Sequence, residues 1–460
     1  MTQKKYLIET FGCQMNVHDS ERMAGLLENA GYAPADDERD ADVIVINTCS
    51  VREHAEAKLY TRLGELRVLG KETIRPPVIA VTGCVAQQEG ETLRSRTNGQ
   101  IIDVVLGTQR LKMLPMAVER QASDRSLAPE VDVRRLDDVS FPLGTARHRD
   151  PVRALVTIIE GCNDHCAFCV VPNTRGHERM RPKAEIIEDV WQAVATGHRE
   201  VQLLGQIVNH YQAPDQPGCD FTGLLEAVHE VAGVERIRFA SPHPRHTSSR
   251  LIAAVRDLPK VCKHLHLPVQ SGATRILAAM RRRHTRQEYL ELVDQVREAI
   301  PEVTLSTDMI VGFPGESRAD FEETLSLVDT VGYHSMFSFK YSTRPGTLAS
   351  RRLPDDVPEA EKTRRIVTLQ ARQREIQSGL LSRVVGREVE VLVDSLSRRS
   401  AAELSGRTTG NTVVNFPAPR ASQPPGEPPS AWIGRTLSVR IKRSGAHSLW
   451  GEASAKYRAG

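Results

Sequence analysis

Residues 153–176 read RALVTIIEGCNDHCAFCVVPNTRG, a strand-like run followed at once by three closely spaced cysteines. These cysteines, Cys162, Cys166 and Cys169, have C-x3-C-x2-C spacing and are called the loop triplet. Three thiolates on one short loop can bind three irons of a cubane iron–sulfur cluster, and the fourth iron stays open to a ligand because no fourth cysteine lies nearby. The alternative is a zinc site with His165 as the fourth ligand, although structural zinc sites favour recurring C-x2-C pairs.

The loop triplet follows the first of six strand candidates that alternate with helical patterns between residues 152 and 341. Parallel strands require right-handed helical crossovers, and the sheet curls as βα units are added. The pattern therefore predicts a complete or partial barrel, with its active site at the C-terminal ends of the strands. The strand candidates are residues 153–160, 200–204, 236–240, 264–269, 304–312 and 334–341, and the helical patterns are residues 183–195, 221–231, 248–257, 273–280, 286–299 and 317–331.

A second group of cysteines lies in the βαβα pattern of residues 4–110, which predicts a parallel sheet with helices on both faces. This N-terminal triplet, Cys13, Cys49 and Cys84, has one cysteine after each of three predicted strands, at separations of 36 and 35 residues. Because the carboxyl ends of parallel strands meet at one edge of a sheet, the thiols are expected to converge there. A single cysteine at a strand end is more often structural, but three in phase favour a second cluster with one open iron. The predicted strands are residues 6–8, 42–47, 77–82 and 101–106, and the predicted helices are residues 19–29, 53–69 and 86–94.

Length and composition limit the class of protein. The chain has 460 residues, and at ~150 residues per domain this length predicts about three domains. A hydrophobic fraction of 40% and a charged fraction of 26% are typical of a globular protein with a sizeable core. No apolar stretch approaches the ~18 to 20 residues that cross a bilayer, and the N-terminus has no signal-peptide pattern. We therefore expect a cytoplasmic protein without a membrane span.

The charge is uneven along the chain. The net charge is +3, but residues 381–460 hold 12 basic and 6 acidic residues, which leaves the rest of the chain at −3. Such asymmetry often marks a nucleic-acid-binding appendage, and a solvated basic surface is the alternative. Strand candidates at residues 388–394, 412–415 and 436–442, with an exposed Pro-rich loop at residues 417–429, favour a small β-barrel here.

Two groups of basic residues are candidates for RNA phosphate contacts, with a solvated surface as the alternative for each. The first is the run Arg281, Arg282, Arg283 and His284, with Arg286 nearby. The second group, with two aromatic residues as candidate stacking groups, comprises Arg398, Arg399, Arg407, Arg440, Lys442, Arg443, Phe416 and Trp450.

The remaining sequence offers no rival chemistry. Cys219 and Cys262 have no partner at ligand spacing, so we expect both to be non-ligands. The sequence has no P-loop, no G-x-G-x-x-G after a strand, no H-E-x-x-H and no nucleophile elbow. Catalysis is therefore expected to depend on the two cysteine triplets.

Short motifs throughout the chain accompany the two triplets. They are TFGCQMN at residues 10–16, NTCSVR at 47–52, GC at 83–84, VVP at 170–172, TRG at 174–176, LLGQ at 203–206, LHLPVQSG at 265–272 and DMIVGFPGE at 308–316. The loop triplet, with the aromatic Phe168 before its third cysteine, resembles the signature of the radical S-adenosylmethionine (SAM) superfamily. Together the motifs resemble the MiaB-type tRNA methylthiotransferases over essentially the whole chain, and the C-terminal segment is similar to an RNA-binding TRAM domain.

The resemblance implies an α/β protein of three parts. These are an N-terminal Rossmann-like parallel sheet, a central partial (βα)6 radical SAM barrel and a C-terminal small β-barrel of the TRAM or OB type. The implied boundaries are a methylthiotransferase domain over residues 1–115, a linker over 116–147, the radical SAM barrel over 148–380 and the RNA-binding domain over 381–460.

The resemblance also implies a reaction. The enzyme would convert N6-isopentenyladenosine at tRNA position 37, next to the anticodon, to its 2-methylthio derivative, and would consume two SAM per product. A [4Fe-4S] cluster at the loop triplet would cleave SAM to a radical that removes the C2 hydrogen, a second [4Fe-4S] cluster at the N-terminal triplet would supply sulfur, and a second SAM would supply the methyl group. Gln206, Ser241, Gln270 and Asp308 stand near the carboxyl ends of predicted strands and are candidates to hydrogen-bond SAM. Gly312 ends the fifth barrel strand, where a missing side chain would let a cofactor approach the backbone, and a simple strand-to-helix turn is the alternative.

Implied partners are a tRNA that carries N6-isopentenyladenosine, an electron donor of the flavodoxin or ferredoxin type, and a cluster or sulfur donor. Related enzymes methylthiolate an aspartate of a ribosomal protein or threonylcarbamoyladenosine in tRNA, and both reactions remain alternatives. The run Gln14, Met15 and Asn16 after Cys13 favours the isopentenyladenosine branch. The alternative from another class is a zinc-stabilised RNA-binding protein without catalysis.

Overall fold

The computed structural model of the protein describes residues 3–50, 53–73, 75–96, 101–135, 144–419 and 428–457. The chain divides into two units. The first unit consists of residues 1–149, 159–179 and 344–347, and the second of residues 150–158, 180–343 and 348–460. The loop triplet therefore belongs to the same unit as the N-terminal triplet.

A parallel sheet with helices on both faces forms the centre of the first unit. Its elements are β1 (Lys5–Phe11), α1 (Gln14–Asn29), β2 (Ala33–Pro34), β3 (Val43–Thr48), α2 (Glu53–Glu72), β4 (Val78–Gly83), α3 (Cys84–Glu89), α4 (Glu91–Arg96), β5 (Val104–Leu106), α5 (Leu114–Ser123) and β6 (Glu130–Asp132). The strands are parallel in the order β2-β1-β3-β4-β5-β6. Val43 and Val45 of β3 pack into one apolar cluster and Ile44 and Ile46 into another, because alternate side chains face opposite layers of helices. The predicted Rossmann-like sheet is confirmed.

Three boundaries in this unit differ from the predictions. α1 begins at Gln14, directly after Cys13, and so starts five residues before the predicted helix of residues 19–29. The helix predicted over residues 86–94 is interrupted at Gly90, which has a φ of +49° and separates α3 from α4. The predicted linker over residues 116–147 contains most of α5 and also β6, which pairs with β5 and extends the sheet. The motif residues 51–52 and the linker residues 136–143 lie outside the described part of the chain.

Six parallel strands form the partial barrel. The elements from the start of this region are β7 (Arg153–Thr157), β8 (Ile159–Glu160), α6 (Val171–Thr174), β9 (Arg179–Met180), α7 (Lys183–Ala195), β10 (Glu200–Leu204), α8 (Phe221–His229), β11 (Arg236–Phe239), α9 (Ser249–Asp257), β12 (His264–His266), α10 (Thr274–Ala279), α11 (Arg286–Ala299), β13 (Thr304–Val311), α12 (Arg318–Val331) and β14 (Ser335–Lys340). Two three-stranded sheets, β11-β10-β7 and β12-β13-β14, are joined through a parallel bridge between Ile237 and Val261. The predicted (βα)6 partial barrel is confirmed, although β12 ends at His266 instead of residue 269.

The C-terminal segment is a closed five-stranded barrel, as predicted. After α13 (Leu348–Arg352) and α14 (Glu359–Ser382), its strands are β15 (Glu388–Ser397), β16 (Ser400–Arg407), β17 (Val413–Pro417), β18 (Thr436–Ser444) and β19 (Ser448–Tyr457), in the closed order β15-β16-β17-β19-β18. The sequence predictions missed β16 and β19, because SAAELSGR and SLWGEASAKY contain few β-branched residues. Residues 420–427 of the predicted Pro-rich loop lie outside the described residues.

The turn after β16 closes the base of the partial barrel. Arg238, at the N-terminal part of β11, donates to the carbonyl oxygens of Thr408 and Thr409 at 2.7 and 3.1 Å and to the Glu200 carboxylate at 2.8 Å. Arg236 donates to the carbonyl oxygen of Arg407. Since the guanidinium of Arg238 is buried, these acceptors satisfy donors that would otherwise have no partner. The C-terminal barrel is thus joined to the strand ends opposite those that carry the candidate SAM contacts.

We expect Arg238→Ala to lower the free energy of unfolding by about 3 kcal/mol, because it removes the nearer of the two cations that pair with the buried Glu200 carboxylate and leaves only Arg153 at 3.4 Å. Urea unfolding measures this change. Arg256→Ala is the matched control: its guanidinium pairs with Asp257 at the surface, so its loss should leave the unfolding curve nearly unchanged. Equal losses of stability in the two variants would contradict a structural role for the turn.

Candidate functional site

Strand register brings the N-terminal triplet together. Phe11 of β1 is paired with Thr48 of β3, and Thr48 with Gly83 of β4, so the three strands end at the same level. Cys49 follows β3 at once, and its amide donates to the carbonyl oxygen of Phe11 at 2.9 Å. The thiol of Cys49 is in hydrogen-bond contact with the thiols of both other members of the triplet. The predicted convergence at one sheet edge is therefore observed.

Two glycines make this convergence sterically possible. A Cβ atom on Gly12 would lie 2.8 Å from Cys49 Cβ and 2.6 Å from Asn16 Oδ1. Gly83 has a φ of +91°, and a Cβ atom there would lie 2.6 Å from the carbonyl oxygen of Thr48. Both positions precede a cysteine of the triplet, so any larger residue would move a thiol.

The thiols differ in their tendency to ionise. The hydrogen bond from Cys49 lowers the pKa of Cys13 to about 6 against the effect of burial, and the charge of Arg175 contributes. The same hydrogen-bond donor and the same guanidinium lower the pKa of Cys84 to about 7. Hydrogen bonds to the other two sulfurs, together with burial, raise the pKa of Cys49. The lowered pKa of two of the three thiols favours the thiolate, which is the form that binds iron.

Four buried polar residues support the triplet, and none was singled out as a site residue from the sequence. Asn16 Oδ1 lies 3.3 Å from the Cys13 sulfur, and the Asn16 amide donates to Asn47 Oδ1 at 3.1 Å. Arg175 pairs with Asp19 at 2.6 Å. Asn16, Asn47 and Arg175 lie inside quoted sequence motifs, which was the available signal, whereas Asp19 lies outside them.

The loop triplet is held by a tight backbone turn. Cys162 donates its amide to the carbonyl oxygen of Gly176 at 3.2 Å, and Cys169 donates to that of Cys166 at 3.0 Å. His165, inside the turn, has a φ of 48°, a conformation rare for residues other than glycine. Burial raises the pKa of Cys162 to about 11.

The chemistry of these donors fits iron–sulfur clusters. Within the described ranges, no group of three or more His, Cys, Asp or Glu side chains is placed to hold one metal ion, and the His165 side chain is exposed. A cubane cluster needs a different arrangement of ligands, because each thiolate binds a separate iron. The N-terminal triplet fits this arrangement: its three thiols lie at one sheet edge, and the pKa of two of them is lowered, in part by the charge of Arg175.

The candidate SAM contacts lie in the second unit. Gln206, Ser241 and Gln270 follow the C-terminal ends of strands, whereas Asp308 lies in the middle of β13. Ser241 and Gln270 have φ angles of 60° and 78°, a strained region that residues other than glycine occupy mainly at functional sites. The side-chain oxygen of Gln206 is buried and has no hydrogen-bond partner. Asp308 Oδ1 lies 3.4 Å from His266 Nε2. These features agree with a polar ligand at this end of the barrel, and the roles of the four residues stay predictions.

Gly312 has a packing reason for its missing side chain. Its φ is +69°, and a Cβ atom would collide with the Lys362 side chain. Its amide already donates to the Glu316 carboxylate. Protein atoms therefore fill the space beside Gly312. These neighbours do not support the predicted contact between Gly312 and SAM, which stays a prediction.

The basic and aromatic candidates divide into exposed and buried members. Arg281 and Arg283 are exposed, whereas Arg282 is buried and donates to the carbonyl oxygen of Pro268 at 2.7 Å, so Arg282 is not available to RNA. Phe416 is in the core of the C-terminal barrel, which contradicts its suggested stacking role. Trp450 is partly buried and carries the guanidinium of Arg443 over its ring at 4.6 Å.

The two remaining cysteines are buried in the second unit. Cys219 lies beside the N-cap of α8, where its sulfur contacts the carbonyl oxygen of Asp220. Burial raises the pKa of Cys262, which lies near Arg238. Their role as non-ligands stays a prediction.

Comparison with known proteins covers nearly the whole chain. Residues 5–107 match the uncharacterized protein family UPF0004, residues 156–328 the radical SAM superfamily and residues 382–453 the TRAM domain. The tRNA-2-methylthio-N(6)-dimethylallyladenosine synthase of Thiobacillus denitrificans is 45% identical over 460 residues, with 98% of each chain covered. The enzymes of the same name from Solibacter usitatus and Chromobacterium violaceum are 42% and 44% identical, again with 98% of each chain covered.

Solved structures share the fold. The radical SAM methyltransferase TsrM from Kitasatospora setae, with cobalamin and a [4Fe-4S] cluster bound, has a TM-score of 0.56 at 13% identity, and 76% of this chain and 77% of that chain are covered. At that identity the likeness concerns the fold alone. Within the described residues, no helix combines the length and the apolar character needed to cross a membrane.

We expect Gly83→Ala to reduce iron bound after anaerobic reconstitution by about half, because its Cβ atom would displace Cys84 from one triplet and leave the other intact. Iron analysis of the purified protein measures this loss. Gly64→Ala is the matched control, since no atom lies within 4 Å of a Cβ atom added there. Full iron content in the Gly83 variant would show that the N-terminal triplet holds no cluster.

Proposed function

Since the chain belongs to the family of tRNA-2-methylthio-N(6)-dimethylallyladenosine synthases, we propose that it methylthiolates C2 of N6-isopentenyladenosine at position 37 of tRNA, with two SAM per product. The chain carries a radical SAM domain, whose cofactors are SAM and an iron–sulfur cluster. The convergence of the N-terminal triplet carries the proposal, because it supplies a second set of three cysteine ligands beside the loop triplet.

The reaction explains the need for two triplets. Carbon 2 of adenine is neither acidic nor electrophilic enough for acid–base chemistry, so the replacement of its hydrogen by sulfur requires a cofactor that generates radicals. When bound, a [4Fe-4S] cluster at the loop triplet supplies the electron that cleaves SAM, and a second at the N-terminal triplet supplies sulfur. The protein contributes ligands, orientation and charge around these groups.

The strand ends of the barrel are proposed to orient SAM. Gln206 offers a buried amide oxygen that can accept from the amino group or adenine of SAM. Ser241 and Gln270 present their side chains from fixed, strained backbone positions, and Asp308 adds a carboxylate. Such preorganised polar groups bind one orientation of a ligand in preference to others.

Partners follow from the proposed chemistry. The tRNA is proposed to contact the C-terminal barrel, which matches the TRAM domain, and the exposed pair Arg281 and Arg283. The reaction also needs a flavodoxin or ferredoxin type electron donor and a cluster or sulfur donor. We place it in the cytoplasm, where tRNA is modified.

Nucleoside analysis tests the proposal. We expect tRNA with N6-isopentenyladenosine to gain the 2-methylthio group when incubated anaerobically with reconstituted enzyme, SAM and a reductant. Cys49→Ala should abolish this product and leave SAM cleavage, because only the sulfur-supplying site is lost. Cys162→Ala with Cys166→Ala and Cys169→Ala should abolish cleavage itself and leave about half of the iron.

Other outcomes separate the rival functions. A methylthio group on threonylcarbamoyladenosine, or on a ribosomal-protein aspartate, would replace the proposed substrate. A colourless protein that binds zinc and tRNA but cleaves no SAM would exclude catalysis. Full product yield from the Cys49 variant would exclude the N-terminal triplet as the sulfur site.

The salt dependence of tRNA binding distinguishes two binding surfaces. Arg440→Ala with Lys442→Ala and Arg443→Ala removes three exposed cations from β18. If they bind phosphates, affinity should fall, and the slope of log affinity against log salt should flatten by roughly 0.7 to 0.9 for each phosphate that is no longer neutralised. Filter binding at several salt concentrations measures both.

The comparison variant is Arg281→Ala with Arg283→Ala, at the opposite end of the partial barrel. A flattened slope there, with an unchanged slope in the β18 variant, would move tRNA recognition to the barrel. These point variants are preferable to removal of residues 381–460, because the turn after β16 accepts hydrogen bonds from the buried Arg238.

A further inference from the structure

Arg175 is a buried cation held by the segment that carries the loop triplet. It follows α6, which packs against α3, the helix that begins at Cys84. Gln109 donates to the carbonyl oxygen of Arg175 at 3.1 Å, and Thr108 donates to that of Thr174. These two hydrogen bonds fix the backbone before and after the Cα atom of Arg175, so the side chain starts from a fixed position.

Helices that begin at the N-terminal triplet hold the Arg175–Asp19 ion pair: Asp19 lies in α1, which starts directly after Cys13, and α6, which precedes Arg175, packs against α3, which starts at Cys84. Arg175 Nη2 is 2.6 Å from Asp19 Oδ2, and both side chains are at most 5% exposed. Although burial opposes it, the charges of Asp19, Cys84 and Cys13 raise the pKa of Arg175 well above its ordinary value, so the side chain stays cationic.

A buried ion pair usually adds little to the free energy of unfolding. The desolvation of two charges cancels much of their attraction, and apolar replacements are often as stable. A pair next to three metal-binding thiols has another use, because net charge and burial around an iron–sulfur cluster set its reduction potential. A nearby cation stabilises the more negative, reduced form, and a nearby anion destabilises it.

We propose that the Arg175–Asp19 ion pair sets the reduction potential of the cluster at the N-terminal triplet, with Arg175 raising the potential and Asp19 limiting that effect. This inference rests on the cluster assignment made under the proposed function. Both residues act as positioning residues through their charge, since neither is a ligand.

The test uses the full chain with Cys162→Ala, Cys166→Ala and Cys169→Ala, so that only one cluster gives a signal. After anaerobic reconstitution, titration with dithionite and redox mediators, followed by electron paramagnetic resonance, yields the midpoint potential. Arg175→Gln should shift it to a more negative value, and Asp19→Asn to a more positive one. Arg175→Lys keeps the charge and should stay near the parent value.

Arg110→Gln is the matched control. Arg110 forms another buried ion pair in the same unit, with Asp132, and neither residue is among the charged groups that act on the thiols. Its loss should leave the potential unchanged. Shifts of opposite sign for the two members of one ion pair cannot come from simple loosening of the fold, which would act in the same direction for both.

An unchanged potential in Arg175→Gln, or shifts of the same sign in both variants, would overturn the inference and leave the proposed function intact. If Arg175→Gln does not retain its cluster, Asp19→Asn decides: a positive shift supports the inference and an unshifted potential overturns it. If the parent protein with the loop triplet removed binds no iron at all, the cluster assignment fails, and both the inference and the proposed function fail with it.

Discussion

The parallel register of β1, β3 and β4 is the constraint on which the first unit depends. Because Phe11, Thr48 and Gly83 are at one level across the sheet, the residues that follow them meet at a single edge. A shift of one residue in any strand would separate the thiols and turn apolar side chains toward the wrong layer of helices. The same hydrogen bonds that pair the strands thus gather the three thiols, and the buried residues on both faces stabilise this arrangement.

The second unit combines two kinds of β-structure through buried arginines. Arg236 and Arg238 extend from the N-terminal part of β11 to the turn after β16, while Ser241 and Gln270 present polar groups at the opposite strand ends. The C-terminal barrel therefore has a structural role, because its backbone satisfies donors inside the partial barrel. These donors bind the turn at which β16, a strand with little β-propensity, ends.

Sequence periodicity predicted most elements, and its failures have local causes. The predictions for β3, β4 and β10 matched the structure nearly to the residue, because short strands that are buried on both faces are rich in apolar residues. β16 and β19 were missed because small and polar residues outnumber the apolar ones there, although Leu404 and Leu449 reach the core of the barrel. The start of α1 was missed because polar residues that are buried near the thiols, such as Asn16 and Asp19, interrupt the apolar repeat of the helix.

The sequence by itself determined the chemistry of this protein: the spacing of the loop triplet, the three cysteines in phase with the βα repeat and the order of its domains. Covalent order along the chain is enough for such features, because ligands on one loop or after successive parallel strands meet without long-range information. Only the tertiary structure decided that Arg175, 156 residues from Asp19, pairs with it beside the thiols, and that Arg282 and Phe416 are buried. Burial and long-range charge interactions depend on how elements pack, and no local pattern of residues encodes them.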